Sequence, residues 1–520
     1  MNPITAPTFE WLQLAPVLVV LLAGCLGIVI EALAPRALRF VSQVGLFALA
    51  AVVAFGFLVL SWTQPRNSIG LMAMGSVALD GPTYLMWGAL IVFGLLSLFV
   101  FAERRLGNGN SAFAASAASV PGSPAEAEAN IARHEHTEVF PLALFSLTGM
   151  MVFVAANDLL TAFVALEVMS LPLYLLSGMA RRRRLLSQEA ALKYFLLGAL
   201  SSAFFLFGIA LVYGYTGSFD LGRINDAITS PVYGSGLLYT GMALLAIGLL
   251  FKIGAVPFHN WVPDVYVGAP TPVTGFMAIC TKLAAVGATV RVFYVALGAE
   301  RWSWQPLVAI VAVVTMALGV VVALTQTDMK RLLAYSSISH AGFILVAVVG
   351  ATSGGLGQIT SFGSILFYLV AYGFATIASF AIVTMVRDST GEVHAISGWA
   401  GLGRKNPLLA GIFAVLMLSF AGIPLTGGFI GKWAVFSAAW RGGYSWLVLA
   451  AVAASLVAAY VYLRVIVTMF FAEPAAGVSV GRASGLTWVP VALGGLATAW
   501  LGLFPGPLLD LVTSASIFIR

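Results

Sequence analysis

Phe251-Lys252-Ile253-Gly254-Ala255-Val256-Pro257-Phe258-His259 closes an apolar run that begins near Leu237. It places a lysine where a membrane helix is otherwise greasy. Five residues later comes Pro257, which has no N–H, so the carbonyl of Ile253 loses its helical partner. Gly254 loosens the same turn. In lipid, freed backbone groups are tolerated only inside protein or beside water. The stretch therefore predicts a broken helix, shielded from lipid, with a charge at the break. That combination points to an ion site in a transporter.

The remainder of the chain agrees with a membrane setting. Of 520 residues, 60% are hydrophobic and only 9% charged, against about 25% charged in a soluble protein. A span needs about 20 apolar residues, and the sequence holds about fourteen such runs. They fall at 11–33, 38–61, 82–102, 139–156, 159–180, 190–215, 237–257 with its broken continuation, 272–297, 306–325, 331–350, 360–386, a second broken run at 407–440, 444–471 and 486–504. The tail 507–520 reads as an extension of the last helix. The Ala-, Ser-, Gly- and Glu-rich segment 103–138 reads as a flexible loop. Cys25 and Cys280 read as small core residues rather than a disulfide or metal pair. The five histidines show no metal-ligand spacing. No phosphate-binding or dinucleotide fingerprint is present, and the first run lacks the basic flank of a cleavable signal.

Lysine and arginine in short loops give the orientation. Counted from an external N-terminus, cytoplasmic loops hold Arg36, Arg39, Arg104, Arg105, Arg133, Arg181 to Arg184, Lys330, Arg331, Arg404 and Lys405. External loops hold mainly Arg66, Arg223, Arg301 and Arg441, so both termini are expected outside. The Arg181–Arg184 run is read as an anchor on anionic lipid, not as a nucleic-acid patch.

The second broken run carries Ala421-Gly422-Ile423-Pro424 and then Lys432. Its proline lies 167 residues after Pro257. The expected architecture is thus an all-α polytopic bundle of about fourteen helices. It divides into an N-terminal segment 1–138, two inverted five-helix repeats at 139–297 and 305–471 (helices 4–8 and 9–13), and a C-terminal segment 472–520. Gly/Pro interruptions at matching places in inverted repeats mark the ion pathway.

Four of the six lysines, 193, 252, 282 and 432, fall inside these runs. Each would cost at least ~2.5 kcal/mol facing lipid, so the four would cost ~10 kcal/mol. They must face a hydrated interior, where a desolvated lysine can load and release a proton near neutral pH. Lys282 lies roughly 15 Å into its helix and cannot easily snorkel to the surface. Lys432 could be a terminal snorkeler, and Lys193, near the start of its run, could snorkel toward Arg181–Arg184. Glu167 is the one acid well inside a span, and it is expected to pair with Lys193 or Lys252. His340 reads equally as a proton relay or as a hydrogen-bonded core histidine. His259 follows the break, close to the freed carbonyls.

Taken together, several stretches resemble the subunit N family of proton-pumping NADH:quinone oxidoreductase, respiratory complex I. They are Asn157-Asp158-Leu159-Leu160, Ala165-Leu166-Glu167-Val168-Met169-Ser170-Leu171, Lys193-Tyr194-Phe195-Leu196-Leu197-Gly198-Ala199, the opening stretch, Trp261-Val262-Pro263-Asp264-Val265-Tyr266, Lys330-Arg331-Leu332-Leu333-Ala334-Tyr335-Ser336-Ser337-Ile338, and Ala421-Gly422-Ile423-Pro424 with Lys432. The long 103–138 segment departs from the compact family pattern. The resemblance implies a proton-translocating, antiporter-like subunit of the bacterial inner membrane. Glu167 and Lys252 would form the energetic pair, Lys193 would modulate it, Lys282 would be central to the path and Lys432 would face an exit. It further implies that NADH, FMN, iron–sulfur clusters and quinone belong to partner subunits, sister antiporter-like subunits among them. This chain would hold no cofactor and no metal, and bind no nucleic acid. Two other readings use the same residues: a subunit of a cation/proton antiporter or membrane-bound hydrogenase, and a non-pumping structural subunit.

Overall fold

In the computed structural model, residues 10–63, 69–107, 109–132, 134–230, 234–352 and 358–519 are described. Among the described residues, fourteen apolar helical segments cross the molecule. They are α1 (Trp11–Leu33), α2 (Arg36–Thr63), α3 (Gly81–Phe101), α4 (Val139–Ala155), α5 (Leu159–Ser177), α6 (Arg184–Thr216), α7 in two pieces (Gly236–Ile253 and Trp261–Gly268), α8 (Thr271–Ala296), α9 (Arg301–Thr325), α10 (Met329–Gly350), α11 (Ser361–Met385), α12 in two pieces (Pro407–Ala421 and Gly427–Arg441), α13 (Ser445–Phe471) and α14 (Gly485–Leu503). Twelve of them are long and apolar enough to cross a membrane unaided; α4 and the first piece of α12 are shorter.

Short polar residues start these helices. The carboxylates of Asp80, Asp158 and Asp328 accept from the amides of Thr83, Thr161 and Arg331 at 3.0, 2.7 and 3.0 Å, satisfying donors a helix start leaves free. Helices apolar all round belong in the interior. Accordingly α8, α10 and α11 are buried along almost their whole length, while α1, α2, α13 and α14 keep a bare apolar face. Glycine allows the closest approaches: a Cβ on Gly149 of α4 would stand 2.3 Å from the Met169 amide of α5.

The helix break differs in detail from the sequence reading. The first piece of α7 ends at Gly254, whose φ of 81° is left-handed and costs glycine little. Its amide returns to the Leu250 and Phe251 carbonyls, and Ala255 also bonds Leu250. Pro257 lies beyond this cap and prevents resumption rather than causing the break. Gly422, with φ 81°, ends the first piece of α12 by the same bonds, two residues before Pro424.

In its described residues, segment 103–138 has local structure that its composition did not suggest. It carries the helix Pro124–Ile131 and an antiparallel bridge from Phe113 to Ala180. Composition alone missed this because the partners are distant arginines. Arg181 donates to Asn130 Oδ1 at 2.8 Å and to the Ser111 carbonyl at 3.0 Å. Arg184 pairs with Glu126 at 3.0 Å, and Arg104 pairs with Glu135. The expectation of a lipid anchor therefore fails for Arg181 and Arg184, which turn inward to hold this segment. Arg133 and Arg66 lie outside the described residues.

Four further expectations are corrected. Arg184 begins α6, so Lys193 stands well inside a longer helix than expected. The tail forms a separate helix, Gly506–Ser514, packed on α11, because Pro505 ends α14's line. Cys25 is exposed on the outer face of α1 and only Cys280 is a core residue. Lys330 is no loop residue: it is buried in the first turn of α10.

Candidate functional site: a buried chain of lysines and hydroxyls

The first cluster gathers where α5, α6 and α7 meet. Lys252, two residues before the cap, is buried, and its Nζ donates to Ser170 Oγ at 2.7 Å and to Tyr174 OH at 3.4 Å. The rings of Tyr174, Tyr194 and Phe251 surround the ammonium at 5.4–5.7 Å, a favourable setting for a desolvated cation. Glu167 lies one helical turn before Ser170 and acts on Lys252 through space. No hydrogen-bonded pair joins them, and Glu167 Oε1 is buried without a partner. The expected Glu167 ion pair is therefore replaced by a lysine resting on hydroxyls, with the carboxylate nearby.

Lys193 is placed elsewhere. Its Nζ meets Glu189 at 2.6 Å and Asp264 at 2.8 Å, with Arg331 on the other Asp264 oxygen at 3.0 Å. The side chain is 42% exposed, so this strap across α6, α7 and α10 is an edge feature and not part of the buried chain. His259 sits in the break, within reach of the Pro257 carbonyl.

The second cluster is on α8 and α10. Lys282 donates to the carbonyl of Ser337 and, at 2.6 Å, to its Oγ. Tyr266 OH stands 3.3 Å from the same Oγ, and the Tyr372 ring lies 5.4 Å from the ammonium. The neighbouring Ser336 bonds Tyr462 OH at 2.6 Å. Tyr462 lies 3.2 Å from His340 Nε2, whose Nδ1 faces Tyr368 OH. His340 is thus both hydrogen-bonded in the core and a link between clusters, with Lys282 and Lys432 both near enough to act on it.

The third cluster is at the α12 break. Lys432 donates to the Phe420 and Ala421 carbonyls at 3.0 and 2.9 Å and to Ser455 Oγ at 2.8 Å. A cation at a helix C-terminus meets the negative end of the helix dipole, so Lys432 is held inside the bundle and does not snorkel.

Sequence reading missed the hydroxyl-bearing residues that surround these charges: Ser170, Tyr174, Tyr266, Ser337, Tyr368, Tyr372 and Tyr462. Their signal was available, since polar side chains inside spans seek partners across helices. It also missed Lys330, which donates to the Ala269 carbonyl at 2.8 Å and to that of Val267 at 3.2 Å. Lys330 borders a cavity of about 620 Å³ at the end of the bundle, shared with Arg182, Thr271, Glu392 and His394. Burial alone would raise the Glu392 carboxyl, but His394, Lys330 and Thr271 outweigh it and hold it down at about 2.

The array sets proton-bearing nitrogens beside hydroxyl oxygens inside one bundle. Residues 156–458 match the transmembrane family described as NADH:quinone oxidoreductase/Mrp antiporter. NADH-quinone oxidoreductase subunit N of Nocardioides sp. is 52% identical to this chain, covering 99% of each. A chain of respiratory complex I from Thermus thermophilus with bound Aureothin is 31% identical, with a TM-score of 0.76 over 96% of this chain and 99% of that one. A chain of the Mrp complex from Dietzia sp. reaches a TM-score of 0.80 over 97% of each chain at 22% identity, a likeness of fold.

Proposed function

We propose a proton route for this chain, which belongs to the subunit N family of NADH-quinone oxidoreductase and so serves as a proton-translocating membrane subunit of that complex. The route runs from Glu167 and Lys252 through Lys282 and His340 to Lys432. The observation that carries it is that all three lysines are buried and end on groups able to accept a proton's hydrogen bond. A buried ammonium facing only hydroxyls and carbonyls has no fixed counter-ion to hold its charge in place. Lys193 biases the first cluster from its edge through Asp264. Pro257 and Pro424 keep the two breaks open, and His259 stands beside the first.

The redox chemistry lies outside this chain, with NADH, FMN, iron–sulfur clusters and quinone in partner subunits. Sister antiporter-like subunits belong to the same complex in the bacterial inner membrane, where both termini of this chain are external. The arginine-rich ends of α2, α3, α6 and α12 support that orientation. The chain divides at 1–138, 139–297, 305–471 and 472–520, the middle two as inverted repeats.

The test is Lys282→Ala in the assembled complex, with proton pumping and NADH oxidation measured on the same membrane vesicles. Both are expected to fall with the complex intact. Unchanged pumping would sink the route.

A further inference from the structure

Between Lys252 and Lys282 lies a cavity of about 10 Å³, walled also by Trp261, Tyr266, Thr281 and Ser337. A space of about that size has room for a single water. The Tyr266 and Ser337 hydroxyls already bond each other at 3.3 Å. Thr281 does not share in this: it is 1% exposed and its Oγ1 has no partner.

The backbone explains why that hydroxyl is free. A threonine in a membrane helix ordinarily returns its hydroxyl to the carbonyl four residues earlier. Thr148, Thr289 and Thr376 do so at 2.7–2.9 Å. Thr281 ends the π-helical stretch Met277–Thr281, where the wider turn carries that carbonyl out of register. Such turns gather at functional sites. A buried hydroxyl without a partner is costly, so its retention between two lysines points to something bound there.

We propose that Thr281 holds one water that joins Lys252 to Lys282, which makes this threonine a positioning residue for proton transfer between them. The inference rests on the route above. In the transfer, Lys252 as ammonium gives one proton to the water oxygen, while the water gives one of its own to the neutral Nζ of Lys282. The water is regenerated, Lys252 is left neutral and Lys282 charged. Thr281 orients the water and keeps its own proton count.

Thr281→Val keeps the shape and removes the hydroxyl; Thr281→Ser restores it. In vesicles carrying the assembled complex, Thr281→Val should lower pumping-coupled NADH oxidation by up to about tenfold, the scale of one ordinary hydrogen bond. Thr281→Ser should recover most of it, and NADH oxidation by an artificial acceptor should be equal in both. A Thr281→Val complex that pumps like its parent overturns the proposal. If Lys282→Ala abolishes pumping while Thr281→Val is silent, only the water bridge falls. If Lys282→Ala is silent too, the route falls with it. Should Thr281→Val not assemble, a map of the unaltered complex fine enough to show waters decides. A water bonded to Thr281 Oγ1 between the lysines supports the proposal, and none there overturns it.

Discussion

Lys252 and Lys193 are both lysines inside apolar runs, yet their surroundings assign them different parts. Lys252 is enclosed by rings and hydroxyls with no carboxylate in contact. Lys193 is half in solvent, with two carboxylates within 3 Å. Exposed pairs contribute roughly 0–1 kcal/mol, so removing Lys193 weakens its bias on the first cluster only mildly. Lys193→Met should keep most of the coupled NADH oxidation, while Lys252→Met should reduce it by about a hundredfold, as expected for loss of a group that itself carries a proton. Pumping measured on the two variants side by side checks this, and equal losses would contradict it.

At the scale of elements, both breaks use a left-handed glycine followed by proline, but they hold their charges differently. Five residues before Pro257 stands Lys252, and five before Pro424 stands Ser419. In α12 the cation comes from the following piece, Lys432, which binds the carbonyls the break sets free. Gly254→Ala should destabilise the protein by about 1–2 kcal/mol through its positive φ, with a further cost because the new Cβ would meet Val262 Cγ2 at 2.9 Å. Thermal unfolding of the purified complex measures this.

The folded 103–138 segment carries a pH dependence. The Gly122 amide holds the Glu126 carboxyl below its ordinary range, with Arg184 adding to the effect. A depressed carboxyl stabilises above its unfolded pKa and loses that contribution as pH falls through the folded value. Protease cleavage within residues 111–132 should therefore be slow at neutral pH and rise only below the usual glutamate range. Glu126→Gln should raise cleavage already at pH 7.

Across the whole molecule, one buried ion pair ties the ends of three helices together. Arg291 of α8 meets both oxygens of Asp80 at 2.8 and 3.0 Å, and also Thr83 Oγ1 and the Val154 carbonyl. The chain's last described residues close on it: the Ile519 amide bonds Asp80 at 3.1 Å, and the Phe518 ring lies 5.0 Å from the guanidinium. Removing one partner leaves the other charged and buried, at a cost of about 3–5 kcal/mol. Arg291→Met should lower the unfolding temperature and the yield of assembled complex, and adding Asp80→Asn should recover part of both. A double variant no better than the single one would show the pair to be less coupled than its geometry implies.

The amino-acid order by itself determined the membrane setting, the fourteen apolar segments, the two broken helices and the lysines they carry. It could do so because hydropathy, glycine and proline act locally, and because a charge in an apolar run is visible without knowing its neighbours. Only the tertiary structure decided what each charge touches. Glu167 has no bonded lysine, Lys193 faces Asp264, Lys330 is buried, and Arg181 and Arg184 hold the segment between Ser111 and Asn130. These outcomes depend on contacts between residues 51 to 71 positions apart, set by helix packing and register. Of the hydroxyls around the lysines, Ser170, Tyr266 and Ser337 stood in the quoted stretches, and Tyr174, Tyr368, Tyr372 and Tyr462 lay outside them. Which of them meet follows from how the helices pack, and that Thr281 meets nothing follows from the width of one helical turn.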